Sequence, residues 1–338
     1  MRGRWLAGAL LGCLLVTGCS GGADDDPSGG ESAAAPRASS GATAKPTPEA
    51  FPNAGKGAGK VSDDGLTLTD VQREQMENLA DLAEKAAGEQ SRIPARDGAP
   101  VLGSDFSWPQ CPKGMGIPQK RSMGLPGPLP AAEYAVIGLT NGPGFFPNPC
   151  LADQAALASS QGLMTAAYAV VSYPDSDTLS RFGDDGPFDG GDRLGALKNV
   201  GYQQALYNVR SMRAAGLASP IVWIDVEPVK FFEWSGDEAA NAAVVEGTRR
   251  GYTDLGYEVG VYSTPYLYSQ IVGGFAMRVP EWRAAGPTSR AAALSKCSGE
   301  SIQGGVPVMG QWVEQGRDQN LTCPGISRDL GRYFAPPG

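Results

Sequence analysis

The sequence predicts an α/β protein whose main domain is an irregular TIM-like (β/α) barrel. Three observations carry that expectation. Strand-like and helix-like segments alternate from residue 94 to residue 338, a pattern and a length that suit a β/α barrel. One strand-like run, Ile221-Val222-Trp223-Ile224, is continuously apolar and rich in β-branched side chains, as in a strand buried on both faces of a parallel sheet. It leads directly into Asp225-Val226-Glu227-Pro228, placing carboxylates where a strand ends and a loop begins, the position that carries chemistry in barrels. A doubly wound sheet satisfies the first two observations and is the alternative.

The segment before the barrel divides into three. Residues 1–18 carry Arg2 and Arg4 and then an apolar run over 5–16, too short to span a bilayer and built like a signal peptide. Its end, Val16-Thr17-Gly18-Cys19, resembles the bacterial lipobox. The resemblance implies cleavage before Cys19 and a lipid on its sulfur, anchoring the protein to the outer, extracytoplasmic face of the cell membrane without a spanning helix. Residues 19–62 are rich in Gly, Ser, Ala and Pro around an Asp24-Asp25-Asp26 run, a composition that cannot bury enough apolar surface to order itself and is expected to form a disordered tether. Residues 63–93 contain a helical segment. Thr69-Asp70-Val71-Gln72 fits a capping box, Leu79, Leu82, Ala83 and Ala86 follow at helical spacing, and Gly88 marks the end, so the spacing predicts a helix over 69–87.

Within the barrel domain, 94–338, strands are predicted at 101–106, 134–139, 164–171, 221–226 and 259–262. Weaker ones follow near 281–284, 308–313 and 328–333. Helices are predicted at 150–161, 193–215 and 238–255. The expected order is five β/α units followed by three strands with little helix between them.

Composition narrows the chemistry. The net charge is −8 with no basic cluster, which argues against nucleic acid as a partner. The chain contains no histidine, removing Ser-His-Asp and Cys-His catalysis and every His-containing metal site. Acid–base work falls to carboxylates. Of the six cysteines, Cys13 and Cys19 belong to the leader region, leaving Cys111, Cys150, Cys297 and Cys323. Four cysteines in an exported domain suggest two disulfides with three possible pairings. Cys111–Cys150 and Cys297–Cys323 are favoured, because each would tie neighbouring strand–loop units. No CxxC spacing occurs, and no metal or other cofactor is expected. The loop 174–192 carries Asp175, Asp177, Asp184, Asp185, Asp189 and Asp192, but its spacing does not fit an EF-hand and it reads as solvated.

Asp225 and Glu227 lie two apart on a strand end, so both face one space. Two carboxylates in a poorly solvated pocket do not both ionise freely, and one keeps its proton near neutral pH, as a general acid requires. A pair held by an arginine or by backbone amides is the plainer reading. At the other strand ends, Trp108, Phe145, Tyr173, Trp234 and Tyr266 stand beside loop-forming residues and are candidates for stacking on sugar rings, whereas Trp223 and Tyr262 read as core.

These motifs, taken together, resemble the glycoside hydrolase family 25 lysozymes (muramidases). Asp105-Phe106-Ser107-Trp108-Pro109-Gln110 is similar to the family's opening Asp-x-Ser-x-x-Gln, and Trp223-Ile224-Asp225-Val226-Glu227 to its Asp-x-Glu strand end. Gly256-Tyr257-Glu258-Val259-Gly260-Val261-Tyr262-Ser263 is similar to its fifth strand, and Gly310-Gln311-Trp312 to its seventh. The resemblance implies a barrel that cleaves the glycan of peptidoglycan, with cell-wall glycan as its partner. Glu227 would match the general acid, and Asp225 the carboxylate that steadies the transition state or orients the substrate's N-acetyl group. Asp105 would match a third acid at the mouth, and Asp329, preferred over Asp318, the acid of the last strand. A non-catalytic glycan-binding or structural envelope lipoprotein on the same barrel is the alternative.

Overall fold

The computed structural model describes residues 93–338. The expected leader over 1–18, the tether over 19–62, Cys19 and the helix over 69–87 lie outside the described residues. Eight strands close into one barrel in chain order. They are β1 (Leu102–Phe106), β2 (Tyr134–Gly138), β3 (Met164–Val170), β4 (Ile221–Asp225), β5 (Glu258–Ser263), β6 (Glu281–Pro287), β7 (Pro307–Glu314) and β8 (Arg317–Thr322). Neighbours from β1 to β7 pair in parallel, while β8 runs antiparallel to both β7 and β1. Closure excludes the doubly wound alternative, which leaves open sheet edges.

The helices are α1 (Leu151–Ser160), α2 (Ser176–Phe182), α3 (Arg193–Ala214), α4 (Glu238–Asp254), α5 (Pro265–Val272) and α6 (Arg290–Ser295). They follow β2 to β6. The β1–β2 connection carries only a 3-10 turn, Trp108–Gln110, and β7 turns straight into β8. The acidic loop is more ordered than a solvated loop. Asp175 caps α2 by accepting from the Thr178 N–H, Asp192 caps α3 through Gly195 N–H, and Asp189 accepts from Gly191 N–H. Its acids thus satisfy helix-start and turn amides that have no intrahelical partner.

Two apolar layers hold the barrel. Ile137, Val222, Ile224 and Val261 point outward and pack with Leu197, Val244 and Val245 of the helices. Inside the barrel sit Tyr134, Trp223, Trp282 and Met309. Trp223 and Trp282 meet edge to face with centroids 6.1 Å apart, a favoured aromatic geometry. Such large rings fit because the residue opposite Trp223 on β5 is Gly260, where a Cβ would collide with the indole. Leu330, Tyr333 and Phe334 complete this inner cluster, and Ala335 pairs with Thr165 near the start of β3. The interior is therefore a packed core and not a pore, and reactive groups are confined to the rim at the strand C-termini.

One predicted strand is misplaced. Residues 328–333 do not form the last strand: Ile326–Arg332 is a 3-10 turn hydrogen-bonded to the chain that enters β1, through Gly325 N–H to Gly98 O and Arg96 N–H to Ser327 O. The last strand is β8, Arg317–Thr322, whose polar sequence hid it from a hydrophobic reading.

Both favoured disulfides form. Cys111–Cys150 joins the turn after β1 to the start of α1, and Cys297–Cys323 joins the turn after α6 to the segment after β8. With the partners 39 and 26 positions apart in sequence, loop-closure entropy gives each roughly 3–4 kcal/mol.

Candidate active site

The barrel brings four carboxyls to one rim. Asp105 is the inward-facing residue near the end of β1, and Asp225 ends β4, with Glu227 two residues on. Because β8 is antiparallel, its beginning lies beside the end of β1, and Asp318 pairs directly with Asp105 across the ladder. Asp105 is 7% and Asp225 2% exposed; Glu227 and Asp318 are half-buried.

A fixed set of donors holds Asp105. Gln311 Nε2 donates to its two oxygens at 3.0 and 3.1 Å, and Asn320 Nδ2 donates to Oδ1 at 2.7 Å. The orientation of both amides is set from behind. Tyr262 O–H donates to Gln311 Oε1 and Trp282 Nε1–H to Asn320 Oδ1, each at 2.7 Å. Burial and the facing Asp318 push the Asp105 pKa well up, against the pull of these donors. The opening motif is explained locally too. Gln110 accepts from Ser107 N–H and closes the turn that begins with Trp108.

Burial, then Glu227 and Asp105, raise Asp225, with Lys120 opposing them. Asp225 Oδ1 is buried with no hydrogen-bond partner, a costly state for an acceptor unless a ligand satisfies it. Glu227 is pushed up to about 7 by burial, against the pull of Lys120 and with a further push from Asp318. Burial lifts Asp318 to about 6. The rim therefore holds four carboxyls whose ionisation burial opposes, Glu227 with a pKa of about 7 among them. Protonation of a leaving oxygen is the chemistry this set supports.

The structure sorts the other predicted residues. Asp329 is not at the site. It is exposed on the 3-10 turn that caps the N-terminal end of the barrel, where its charge acts on Tyr333; Asp318 is the last-strand acid. Phe145 is 4% exposed, stacked on Phe182 at 4.2 Å and edge-on to Tyr207 at 5.6 Å, so it is core and offers no face to a sugar. Tyr173 is half-buried against the outer core and hydrogen-bonded to Arg193. Trp234 donates its indole N–H to the Glu227 carbonyl at 2.9 Å, which fixes the loop carrying the acid. Trp108 is half-buried with Lys120 Nζ 5.7 Å from its ring centroid. Tyr266, at the start of α5, is 70% exposed. Lys120 and Asn320 were not foreseen. A loop lysine has no periodic signal, and Asn320 lies on the strand whose polar pattern hid it.

A family model described as lysozyme-like protein 1 matches residues 195–284, the stretch from α3 to β6 that includes Asp225 and Glu227. A probable GH family 25 lysozyme of Dictyostelium discoideum is 36% identical over 66 residues, 19% of this chain and 30% of that relative. Over residues 195–284 the chain is thus similar to a lysozyme-like family, and the described residues form a closed eight-stranded α/β barrel. The match spans about a third of the relative's length. Among solved structures, the catalytic domain of endolysin ply40 from bacteriophage P40 of Listeria monocytogenes is 13% identical. It covers 69% of this chain and 97% of its own, with a TM-score of 0.40. A family 25 glycosyl hydrolase from Bacillus anthracis is 14% identical, covering 67% of this chain and 90% of its own, with a TM-score of 0.42. Of the rim residues, the family-model match leaves Asp105, Lys120, Gln311 and Asp318 outside its bounds.

Proposed function

We propose that this protein is a glycoside hydrolase that cuts the glycan of peptidoglycan or a related amino-sugar polymer, held at the extracytoplasmic face of the membrane by a lipid on Cys19. The observation that carries the catalytic part is Glu227, whose carboxyl keeps its proton up to about pH 7 amid three other carboxyls at the strand ends. The match to a lysozyme-like family model over the same two acids supports it. Glu227 donates its proton to the glycosidic oxygen as the C–O bond breaks. Asp225, with its unpartnered Oδ1, accepts a hydrogen bond from a donor on the sugar, such as an N-acetyl N–H, and steadies the positive charge that develops at the ring. Gln311 and Asn320 hold Asp105 in place at the same rim, facing Asp318.

The test is release of reducing ends from purified cell wall by the full-length protein, followed against pH. The rate falls as pH rises through about 7, where Glu227 loses its proton. Stability moves the same way. Glu227 and Asp318 have folded values above the ordinary carboxylate range, so between about pH 4 and 7 the folded chain binds more protons than the unfolded one and loses stability as pH rises. The melting temperature is expected to be higher at pH 5 than at pH 7.5; the reverse order would remove the buried-acid account. Membrane attachment is tested by Cys19→Ser, which is expected to move the protein from the membrane fraction to the soluble fraction. Retention of the variant in the membrane fraction would refute the anchor.

A further inference from the structure

Asp105 is gripped by two amides, and an amide has two ends. Turned over, Gln311 or Asn320 would present a carbonyl oxygen to the carboxyl in place of an N–H. Tyr262 does not choose the end by itself. Its O–H donates to Gln311 Oε1, but a phenol oxygen accepts from an amide N–H equally well. Trp282 does choose. An indole N–H only donates, and Trp282 Nε1 lies 2.7 Å from Asn320 Oδ1. That contact turns Asn320 Nδ2 toward Asp105 Oδ1, also at 2.7 Å. Gln311 stands opposite Asn320 across the β7–β8 ladder and donates to the same carboxyl. Tyr262, which bonds the far end of Gln311, is the cross-strand neighbour of Trp282, with ring centroids 4.5 Å apart. Trp282, Asn320 and Gln311 are buried, so bulk water does not replace a donor that is lost. The ionisable groups around Asp105 are acids and phenols: Tyr134 of β2, Tyr168 of β3, Asp225 of β4, Tyr262 of β5 and Asp318 of β8. Glu227 and Lys120 act beside them on Asp225. The two amides, with the backbone N–H of Asp105 itself, are the groups that favour its ionised form.

We propose that Trp282 is a positioning residue for the rim: as the one group among these contacts that can only donate, it sets which end of the amides faces Asp105. It acts from the barrel interior, directly through Asn320 and by packing through Tyr262 and Gln311. Trp223 supplies the contrast. It belongs to the same aromatic cluster, but its Nε1 is buried with no hydrogen-bond partner, so it contributes packing and no direction. The bearing of Trp282 on turnover rests on the glycan-cutting reading of the rim; its hold on Asp105 does not.

The test follows the titration of the Asp105 carboxyl carbon by NMR in the full-length protein with labelled aspartate, the signal being assigned by its loss in Asp105→Asn. Trp282→Phe keeps an aromatic ring and removes the N–H. The expected result is a midpoint about one pH unit higher, the size of one charge-assisted hydrogen bond. Asn320→Ala, which removes the relay, moves it by as much, and the double variant moves it no further than Asn320→Ala alone. Trp223→Phe, the same loss of ring from the same cluster, leaves the midpoint in place. If Trp282→Phe does not fold, benzothienylalanine in place of Trp282 keeps the two-ring shape without the N–H and gives the same reading. An unmoved midpoint without the Trp282 N–H, or equal shifts in Trp282→Phe and Trp223→Phe, would overturn the proposal. Turnover of cell wall by Trp282→Phe is expected to fall about tenfold with KM nearly unchanged. The midpoint shift in a protein that never cuts cell wall would sink the glycan-cutting reading and leave the hold on Asp105 standing.

Discussion

Glu227→Gln lowers the rate of reducing-end release from cell wall by about 10²–10⁴-fold, the usual contribution of a positioned general acid. The substitution keeps the shape and one hydrogen-bonding face of the side chain and removes only the transferable proton. The loop that carries it is fixed through its backbone by Trp234, so the fold does not depend on the carboxyl. Glu227 holds its proton to about pH 7 at a site where burial opposes ionisation. An amide there cannot ionise, and the variant is therefore expected to melt no lower than the wild type at pH 7.5 and to show a flatter dependence of stability on pH. Binding of glycan persists. Parallel measurements of rate, melting temperature and binding separate the outcomes: a variant that cuts at more than a tenth of the wild-type rate removes Glu227 from the chemistry.

Glu281→Ala has the largest effect on stability and no direct role at the rim. Glu281 is fully buried at the start of β6, and its carboxylate accepts from Ser301 Oγ at 2.6 Å and from the N–H groups of Ile302, Gln303 and Gly305 at 2.9 Å. Arg283, two residues on, pairs with it at 2.7 Å and donates to the carbonyls of Lys296 and Gly299. Burial alone would raise the Glu281 pKa, but the hydrogen bonds from Ser301 and the backbone together hold it below the ordinary range. The pair organises the whole 296–305 connection from inside. Truncation leaves a buried guanidinium and several amides unpaired, for a cost of about 3–5 kcal/mol, or roughly 10–15 °C in melting temperature. Glu281→Gln, which keeps part of the network, is expected to lose less, and Glu281→Ala with Arg283→Met to recover part of the loss because no buried charge remains. Thermal melts of the three variants at pH 7 decide it; a single Ala variant within 3 °C of wild type would contradict the account.

The strands that the sequence made easy to read are those buried on both faces. Ile221–Asp225 and Tyr134–Gly138 are packed between the interior and the helices, so nearly every side chain is apolar and the run announces itself. The strand that escaped, Arg317-Asp318-Gln319-Asn320-Leu321-Thr322, has polar residues facing inward because that part of the interior holds Asp105 and not a hydrophobic layer. A different signal was present. Gln315 and Gly316 both adopt positive φ, 56° and 71°, between the paired Glu314 and Arg317, the two-residue hairpin turn that favours a glycine and follows an apolar strand. Reading that turn would have placed the last acid at Asp318. Phe145 failed for the opposite reason: a glycine- and proline-rich setting suggests exposure, yet the end of α2 brought Phe182 over it.

By itself the sequence determined the class of the fold, the pairing of acids at the end of the fourth strand, and the absence of histidine chemistry, because each is written in contiguous residues or in composition. Only the tertiary structure decided which acids share a rim, that Lys120 stands among them, and that burial there raises the pKa of all four, that of Glu227 to about 7. Those outcomes depend on barrel closure, which sets Asp318 beside Asp105, on a disulfide and the buried Asn141 that clamp the loop carrying Lys120, and on burial. None of these is encoded in the spacing of neighbouring residues, since each is a property of groups that meet only after the chain has closed on itself.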